Sequence, residues 1–247
     1  MTDMRQIAVA FENVSKAFGT KQVLRKVSFA VKPGEIVCVL GRSGTGKSVT
    51  LKLLIALLQP DGGKIWIDQD DITGMKEAQI SNVRRKMGFL FQDAALFDSL
   101  TLYENLALPL QRLTKKSPGE IDSTVDSVLR QVGLVGDKRK RPAELSGGMR
   151  KRAGLARALV LDPKILLADE PSSGLDRITA SEIDALFLKQ RAERNTTIVI
   201  VTHDVHGART VGDKFAVLDR GELVAFGTAA EVMNSENETA RRLIGEE

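Results

Sequence analysis

The sequence predicts an α/β fold in which helices cover both faces of a parallel β-sheet. Three observations support this prediction. Short apolar runs alternate with segments of helical periodicity, these runs are not interrupted by polar residues, and a glycine-rich loop joins one of them to a helix. With 247 residues, the chain is long enough for one large domain with a small inserted subdomain.

The first third of the chain contains strand-like runs, then a glycine loop and a helix. The runs lie at residues 7–11, 23–31 and 36–40. Turn signals at Phe18-Gly19 and Pro33-Gly34 separate them. From residue 47 to 58 the apolar spacing becomes helical, and Pro60-Asp61-Gly62-Gly63 ends that helix. We therefore expect a strand, a loop and a helix in direct succession.

The middle of the chain changes from strands to helices. Further strands are expected at residues 64–67 and 86–91, and residues 93–144 then carry helical periodicity, most clearly at 120–132. Gly133 and Pro142 mark breaks in this region. The segment predicts an inserted helical subdomain.

The next part of the chain returns to alternating elements. We expect, in order, a helix at 146–161, a strand at 165–168, a helix at 179–193 and a strand at 197–201. Both strands are apolar throughout, which is typical of a parallel sheet that is buried on both faces.

The composition excludes several classes of protein. The chain is 43% hydrophobic and 28% charged, which argues against disorder, collagen and coiled coils. Its apolar stretches are far shorter than the roughly 18 to 20 residues that span a bilayer, and residues 1–6 carry no apolar signal region, so we expect a cytoplasmic protein. The single cysteine, Cys38, lies in an apolar run and is predicted to be a core residue.

Basic residues form clusters in the middle third, although the net charge is only +4. The clusters are Arg84-Arg85-Lys86, Lys115-Lys116, residues 138–141 and Arg150-Lys151-Arg152. We expect them to be solvated helical surface, with contact to anionic lipid headgroups or to nucleic acid as the alternatives. Aromatic residues do not interleave with these clusters, so no nucleic-acid partner is predicted.

One octapeptide carries a phosphate-binding pattern. Gly41-Arg42-Ser43-Gly44-Thr45-Gly46-Lys47-Ser48 fits G-x-x-x-x-G-K-[ST] and stands between a predicted strand and a predicted helix. The glycines allow successive backbone N–H groups to turn inward, and the helix adds the positive end of its dipole. We expect Lys47 to reach the terminal phosphates of a nucleotide and Ser48 to provide a hydroxyl group to Mg²⁺.

Two adjacent carboxylates, Asp169 and Glu170, follow a run of four apolar residues. Buried carboxylates are costly without partners, so packing alone explains this pair poorly. A phosphate site also needs a carboxylate that holds a metal ion and a group that activates water. The sequence therefore predicts that Asp169 holds Mg²⁺, directly or through water, and that Glu170 orients and polarises the attacking water.

Further motifs resemble those of ATP-binding cassette (ABC) ATPases. Leu145-Ser146-Gly147-Gly148-Met149 resembles the signature motif, and Ser173-Gly174-Leu175-Asp176 resembles the D-loop. Gln92 resembles the Q-loop glutamine, His203 the switch histidine, and Phe18 the aromatic residue that stacks on adenine. The ordered motifs extend over nearly the whole chain.

The resemblance implies a RecA-like P-loop NTPase core with an N-terminal antiparallel β-subdomain and an inserted α-helical subdomain. In that division, residues 1–92 and 161–247 form the nucleotide-binding core with the β-subdomain, and residues 93–160 form the helical subdomain with the signature motif. The implied cofactors are ATP and Mg²⁺, and the implied activity is ATP hydrolysis coupled to transport.

The resemblance also implies roles for individual residues. Glu170, His203 and Gln92 would be catalytic, and Mg²⁺ would be held by Ser48, Gln92 and Asp169. The implied nucleotide-binding set comprises Phe18, the octapeptide from Gly41 to Ser48, Ser146, Gly147, Gly148 and Asp176. In the family's head-to-tail dimer, each ATP lies between the P-loop of one chain and the signature motif of the other. Ser146 is also a favourable N-cap residue, so the helix after it opens with exposed N–H donors and a positive end.

Two residues depart from the family pattern. Met149 stands where most members have glutamine, and Arg177 stands where many have proline.

Three stretches, at residues 46–52, 91–97 and 149–152, are similar to the ATPases of bacterial Mla and MCE phospholipid-transport systems.

This similarity implies a homodimer attached to the inner face of the cell membrane. Its implied partners are an integral membrane permease, an MCE-type substrate-binding protein and a small regulatory subunit. A coupling helix of the permease would dock near Gln92 and residues 93–108, and no lipid pocket is expected in this chain. The alternatives are the ATPase of a small-solute importer of the amino-acid type and a non-transporting ABC ATPase of the cell-division type.

Overall fold

Two β-sheets and the helices around them build the fold, which a computed structural model describes for residues 7–245. In chain order the elements are β1 (Val9–Phe18), β2 (Lys21–Val31), β3 (Ile36–Leu40), α1 (Lys47–Leu54), β4 (Gly62–Ile67), β5 (Asp70–Asp71), α2 (Glu77–Arg84), β6 (Met87–Leu90), α3 (Leu102–Leu113), α4 (Pro118–Gln131), α5 (Gly147–Leu159), β7 (Ile165–Asp169), α6 (Arg177–Arg194), β8 (Thr197–Val201), α7 (Val205–Val211), β9 (Lys214–Asp219), β10 (Glu222–Gly227), α8 (Ala229–Met233) and α9 (Glu238–Gly245).

The two sheets differ in strand direction. The first is antiparallel, with the order β2-β1-β4-β5. The second has the order β10-β9-β3-β8-β7-β6, and its strands are parallel except for β10, which runs antiparallel to β9. The predicted α/β class, with a parallel core sheet and an antiparallel N-terminal sheet, is confirmed.

The core lies on both faces of the parallel sheet, as the apolar runs predict. Along β3, Ile36, Cys38 and Leu40 pack into one apolar cluster, while Val37 and Val39 pack into another. This alternation follows from the two-residue period of a strand. Cys38 is fully buried, which confirms its prediction as a core residue.

Helices α3, α4 and α5 occupy the chain between β6 and β7. Capping boxes begin α3 and α4, with Thr101 and Ser117 as the N-cap residues. The buried Asn105 side chain accepts a hydrogen bond from the Phe97 N–H and donates to the carbonyls of Phe97, Leu100 and Thr101. It thereby closes the turn that leads from β6 into the helices.

Several predicted boundaries are wrong for local reasons. The helix predicted at 47–58 ends at Leu54, because Ala56 has a φ of +51° and the N–H groups of Leu57 and Leu58 both turn back to the Lys52 carbonyl. Residues 93–101 are not helical, since Ala94 and Ala95 adopt positive φ. Helix α2 and every element after β8 carry no prediction from the sequence.

Candidate functional site

The candidate residues converge because the strands that carry them run in parallel. The P-loop follows β3, Gln92 follows β6, Glu170 follows β7 and His203 follows β8, so all four lie at the carboxyl edge of the sheet. A cleft of about 520 Å³ opens there. It is lined by Phe18, Lys21, Val23, Ser43, Gly44, Gly46, Lys47, Ser48, Val49, Gln92, Glu170, Ser173 and His203.

Two glycines shape the loop between β3 and α1. Gly46 has a φ of +105°, and a Cβ at this position would lie 2.6 Å from Leu24 Cδ2. Gly41 has a φ of +155°, and its Cβ would lie 2.7 Å from Thr45 Oγ1. Both positions therefore exclude a side chain. Helix α1 begins directly after Gly46 with no side-chain cap, which leaves its first N–H groups for an anion.

Lys47 is buried at the start of α1, and its ammonium lies inside the loop. Nζ donates to the Gly41 carbonyl at 2.8 Å and to the Arg42 carbonyl at 3.3 Å. Thr45 Oγ1 donates to the same Arg42 carbonyl at 2.9 Å. The charge is thus held beside the first turn of α1, where phosphate oxygens can replace the carbonyl partners.

Asp169 and Ser48 are brought together although they are far apart in the sequence. Ser48 Oγ donates to Asp169 Oδ1 at 3.2 Å. Burial raises the pKa of the Asp169 carboxyl, while the Ser48 hydrogen bond and the charges of Lys52 and Lys47 act in the opposite direction. The pair brings a hydroxyl and a carboxylate oxygen together beside the P-loop.

Glu170 has a constrained backbone and an oriented side chain. Its φ of +47° is uncommon for a residue with a Cβ, and its N–H donates to the Val201 carbonyl at 2.8 Å. Oε2 accepts hydrogen bonds from Thr202 Oγ1 and from the His203 N–H, both at 3.2 Å, and lies 2.8 Å from His203 Nδ1. The segment after β8 therefore orients this carboxylate.

The signature residues and Asp176 of the D-loop lie outside this cleft, at the starts of two neighbouring helices, whereas Ser173 of the D-loop lines it. Ser146 caps α5, with Oγ accepting from the Met149 N–H at 3.2 Å. Asp176 caps α6, accepting from Thr179 N at 3.0 Å and from Thr179 Oγ1 at 2.9 Å, and these bonds lower the pKa of its carboxyl. Ser146, Gly147 and Asp176 are exposed, and Gly148 lies against Thr179.

Two further predicted binding residues have distinct surroundings. Phe18 ends β1 at the edge of the cleft, with 47% of its surface exposed and Lys16 Nζ 5.6 Å from the ring centroid. Arg42 also lines a separate depression with Glu238, Thr239, Arg242 and Leu243 from α9. Its carbonyl accepts hydrogen bonds from Thr45 Oγ1 and Lys47 Nζ within the loop.

The prediction that the basic clusters are solvated surface is wrong for Lys151, and two other cluster residues make specific contacts at the surface. Arg84 donates to the carbonyls of Ile55 and Ala56 and so closes the end of α1. Lys86 pairs with Asp68 and Asp70. Lys151 is buried and bonds to the backbone of Glu170.

Polar residues outside the predicted set of site residues also support the site, among them Ser173 of the D-loop motif. Ser173 lines the cleft, and Thr202 bonds to Glu170. The neighbouring Ser172 donates from Oγ to Asp204 Oδ2 at 3.1 Å, which joins the D-loop to the start of α7. Their positions directly after β7 and β8 were the available signal, because side chains at these strand ends face one edge.

A family model described as ABC transporter matches residues 24–173 of the chain. This stretch runs from β2 through the P-loop and the signature helix to the D-loop. The chain belongs to the ABC transporter family. It is an ATP-binding, ATP-hydrolysing cassette, and ABC ATPases of this kind form dimers and work with membrane permease components.

Similar proteins with curated names include ATP-binding subunits with different stated cargoes. The probable ribonucleotide transport ATP-binding protein mkl of Mycobacterium leprae is 46% identical over 238 residues, which cover 96% of this chain and 69% of that protein. For mkl of Mycobacterium tuberculosis, the identity is 45% and the aligned part is 66% of that protein. The methionine import ATP-binding protein MetN 2 of Pseudomonas entomophila is 39% identical over 97% of this chain and 73% of its own.

Solved ABC structures share the fold. The dimeric bacterial ABC transporter cassette MJ0796 superposes with a TM-score of 0.84 at 33% identity, covering 89% of this chain and 98% of that one. The cassette cbiO1 of Clostridium perfringens, part of the complex cbiONQ, gives a TM-score of 0.86 at 30% identity over 98% of this chain and 96% of that one. MJ0796 is also known as a dimer bound to ADP and Pi in a post-hydrolysis state.

Within residues 7–245, no helix is both long enough and apolar enough to cross a bilayer.

Proposed function

We propose that this chain is the nucleotide-binding subunit of a phospholipid transporter of the Mla/MCE type. In this proposal it works as a head-to-tail homodimer, bound peripherally to the cytoplasmic face of the membrane. The observation that carries the catalytic part is the orientation of the Glu170 carboxylate by Thr202 and His203 at the edge that also holds the P-loop. Residues 93–160 would form the helical subdomain and the remainder the core.

The cleft suits a nucleoside triphosphate in both shape and charge. The P-loop provides helix N–H groups and the Lys47 ammonium for the β and γ phosphates. The exposed Phe18 ring at the cleft edge provides a face on which adenine can stack. Lys16 Nζ, which lies 5.6 Å from the ring centroid, is paired with Asp61 Oδ1 at 2.8 Å.

The donor set fits a hard divalent cation. Ser48 Oγ, Asp169 Oδ1 and the Gln92 side chain offer oxygen ligands, which Mg²⁺ prefers. Among residues 7–245 no group of three or more His, Cys, Asp or Glu side chains is suited to holding a metal, so phosphate oxygens and water would complete the coordination. When bound, Mg²⁺ would neutralise charge on the β and γ phosphates.

Glu170 is the proposed general base. A water molecule between its carboxylate and the γ-phosphate would attack phosphorus, pass a proton toward Glu170, and displace ADP as the leaving group. His203, 2.8 Å from Oε2, would hold the carboxylate in this direction and contact the γ-phosphate with its exposed ring. Gln92, exposed at the cleft, would bind the cation and sense the nucleotide.

A second chain would complete each site. Ser146, Gly147 and Gly148 open α5 with an exposed positive helix end, yet they do not line the cleft of their own chain. Asp176, at the exposed start of α6, is similarly placed. In a head-to-tail pair these residues would close over the nucleotide bound by the partner's P-loop, so ATP would hold the two chains together.

The lipid part of the proposal rests on the three sequence stretches at 46–52, 91–97 and 149–152. Its partners would be a permease, an MCE-type substrate-binding protein and a small regulatory subunit. Phe91 and Phe97, which flank the turn after β6, are exposed and provide apolar surface for a coupling helix of the permease.

A small-solute importer is the second candidate, favoured by the 39% identity to a methionine import ATP-binding protein. A cell-division-type ABC ATPase would use the same catalytic site to signal to a hydrolase. These functions differ in their partners rather than in the nucleotide site.

The catalytic proposal is tested with Glu170→Gln. This variant should bind ATP with unchanged affinity, lose ATP turnover by a factor of about 100 or more, and accumulate a nucleotide-bound dimer on size exclusion. Lys189→Gln, on the exposed face of α6, is the matched control and should retain turnover. Normal hydrolysis by Glu170→Gln would refute the role given to Glu170.

The cargo proposal is tested by purifying the complex from native membranes in mild detergent. An MCE-domain protein and bound phospholipid in the complex would support it. A periplasmic solute-binding protein or a cell-wall hydrolase in their place would support one of the alternatives and overturn the lipid assignment.

A further inference from the structure

Lys151 is a buried lysine in the signature helix that the nucleotide chemistry leaves without a role. It lies in the second turn of α5, and only 7% of its surface is exposed. Its Nζ donates to the backbone carbonyl of Glu170 at 2.9 Å. Within residues 7–245, no ion pair includes Lys151.

A buried ammonium needs compensation, because desolvation opposes its charge. Burial lowers the pKa of Lys151, and the carboxylates of Asp93, Glu170 and Asp169 act against this effect. Of these acids Glu170 lines the cleft and Asp169 directly precedes it, so carboxylates of the candidate site favour the charge of the lysine. Its position therefore depends on the geometry of Glu170 and its neighbours.

The hydrogen bond from Lys151 acts on Glu170, whose backbone is already constrained by other contacts. The Glu170 N–H is bound to the Val201 carbonyl, its φ is +47°, and its carboxylate is held by the segment after β8. The remaining polar backbone atom, the carbonyl oxygen, accepts from Lys151 Nζ at 2.9 Å and from the Ser173 N–H at 3.2 Å. The Glu170 side chain is attached to the Cα between these two peptide groups. A rotation of the backbone at Glu170 would therefore redirect the carboxylate.

The signature motif begins the same helix, one turn before Lys151. Ser146 caps α5, and Lys151 follows it within the first two turns of an unbroken helix. A displacement of the cap is therefore transmitted to the Lys151 stem without an intervening hinge.

We propose that Lys151 is a positioning residue for Glu170, which couples the placement of the signature helix to the orientation of the general base. The inference rests on the proposed function. In the head-to-tail dimer, Ser146 contacts the nucleotide of the partner, so Lys151 transmits closure over the partner's ATP to the base in its own chain.

The test compares Lys151→Met, which keeps the apolar stem but has no donor, with Lys151→Arg, which keeps a charged donor. Lys189→Met, on the exposed face of α6, is the control. We expect Lys151→Met to lower kcat about tenfold, with the KM and the Kd for ATP within twofold of the parent. We expect the decrease in log kcat to be at most half as large in Lys151→Arg as in Lys151→Met.

A second measurement separates positioning from general damage. In the Glu170→Gln background, addition of Lys151→Met should leave the yield of nucleotide-trapped dimer unchanged, because the base is already absent. Loss of the trapped dimer, an unchanged kcat in Lys151→Met, or equal losses in the Met and Arg variants would each overturn the inference. Retained turnover in Glu170→Gln alone would instead refute the proposed function.

Discussion

The contact between Gly148 and Thr179 ties the signature helix to the D-loop helix. A Cβ at Gly148 would lie well inside van der Waals distance of Thr179 Cγ2. Thr179 cannot easily turn its methyl group away, because its Oγ1 donates to Asp176 Oδ2 and its N–H donates to Oδ1. We therefore expect Gly148→Ala to force α5 and α6 apart at their N-termini.

The cost follows from overpacking. Inserting a methyl group into such a contact typically costs about 1–3 kcal/mol, which for a chain of this size corresponds to a fall in Tm of about 2–12 °C. Thr179→Ser removes the obstructing methyl and keeps the hydroxyl bond to Asp176. The double variant should therefore recover most of the loss, giving a coupling free energy of about 1 kcal/mol or more.

Thermal and urea unfolding of the two single variants and the double variant measure this coupling. Thr179→Ser alone should change the free energy of unfolding by less than about 1 kcal/mol. If the double variant is as unstable as Gly148→Ala alone, the steric explanation is wrong, and the requirement for glycine at 148 must come from ligand binding instead.

Three further predictions follow from buried groups. Lys47→Ala should raise the Kd for ATP about 10- to 100-fold in titration calorimetry, because a charge-assisted phosphate contact is lost; an unchanged Kd would contradict the phosphate assignment. The Cys38 thiol is fully buried and burial raises its pKa, so a thiol reagent should label it only in denaturant, and fast labelling of the native protein would be inconsistent with this packing. Burial and the nearby Asp204 raise the pKa of Asp184 from 3.8 to about 6, so the folded state binds a proton that the unfolded chain releases, and stability falls as pH rises between these values. Asp184→Asn should therefore be more stable than the parent by about 1–2 kcal/mol at pH 7.5 and about equal to it near pH 4, as urea unfolding at the two pH values can measure.

The sequence predicts the parallel core well because its signals are local and strong. Strands β3, β7 and β8 are uninterrupted apolar runs, and each is followed by polar residues that suit a nucleotide site. Parallel direction then brings those residues to one edge, which is why the P-loop, Glu170 and His203 meet as the pattern indicates.

Other features depend on distant contacts that no local pattern encodes. The early end of α1 requires the left-handed Ala56 and the Arg84 side chain from α2. Lys151 belongs to a run of three basic residues that predicts solvent exposure, yet its partner is a backbone carbonyl 19 positions away. Every residue type has a backbone carbonyl, so the sequence does not mark which one accepts a hydrogen bond from Lys151. The pattern of charges alone therefore cannot predict this contact.

The exposed tip of α5 has a consequence for how the enzyme behaves when it is dilute. A solitary chain carries the groups proposed to cleave ATP, but its signature residues do not line its own cleft. Subunits that are not assembled into a dimer would then not hydrolyse ATP in the cell. In dilute solution the specific rate of ATP hydrolysis should rise with subunit concentration until all subunits are dimeric. The need for two chains to associate would therefore limit ATP hydrolysis by unassembled subunits.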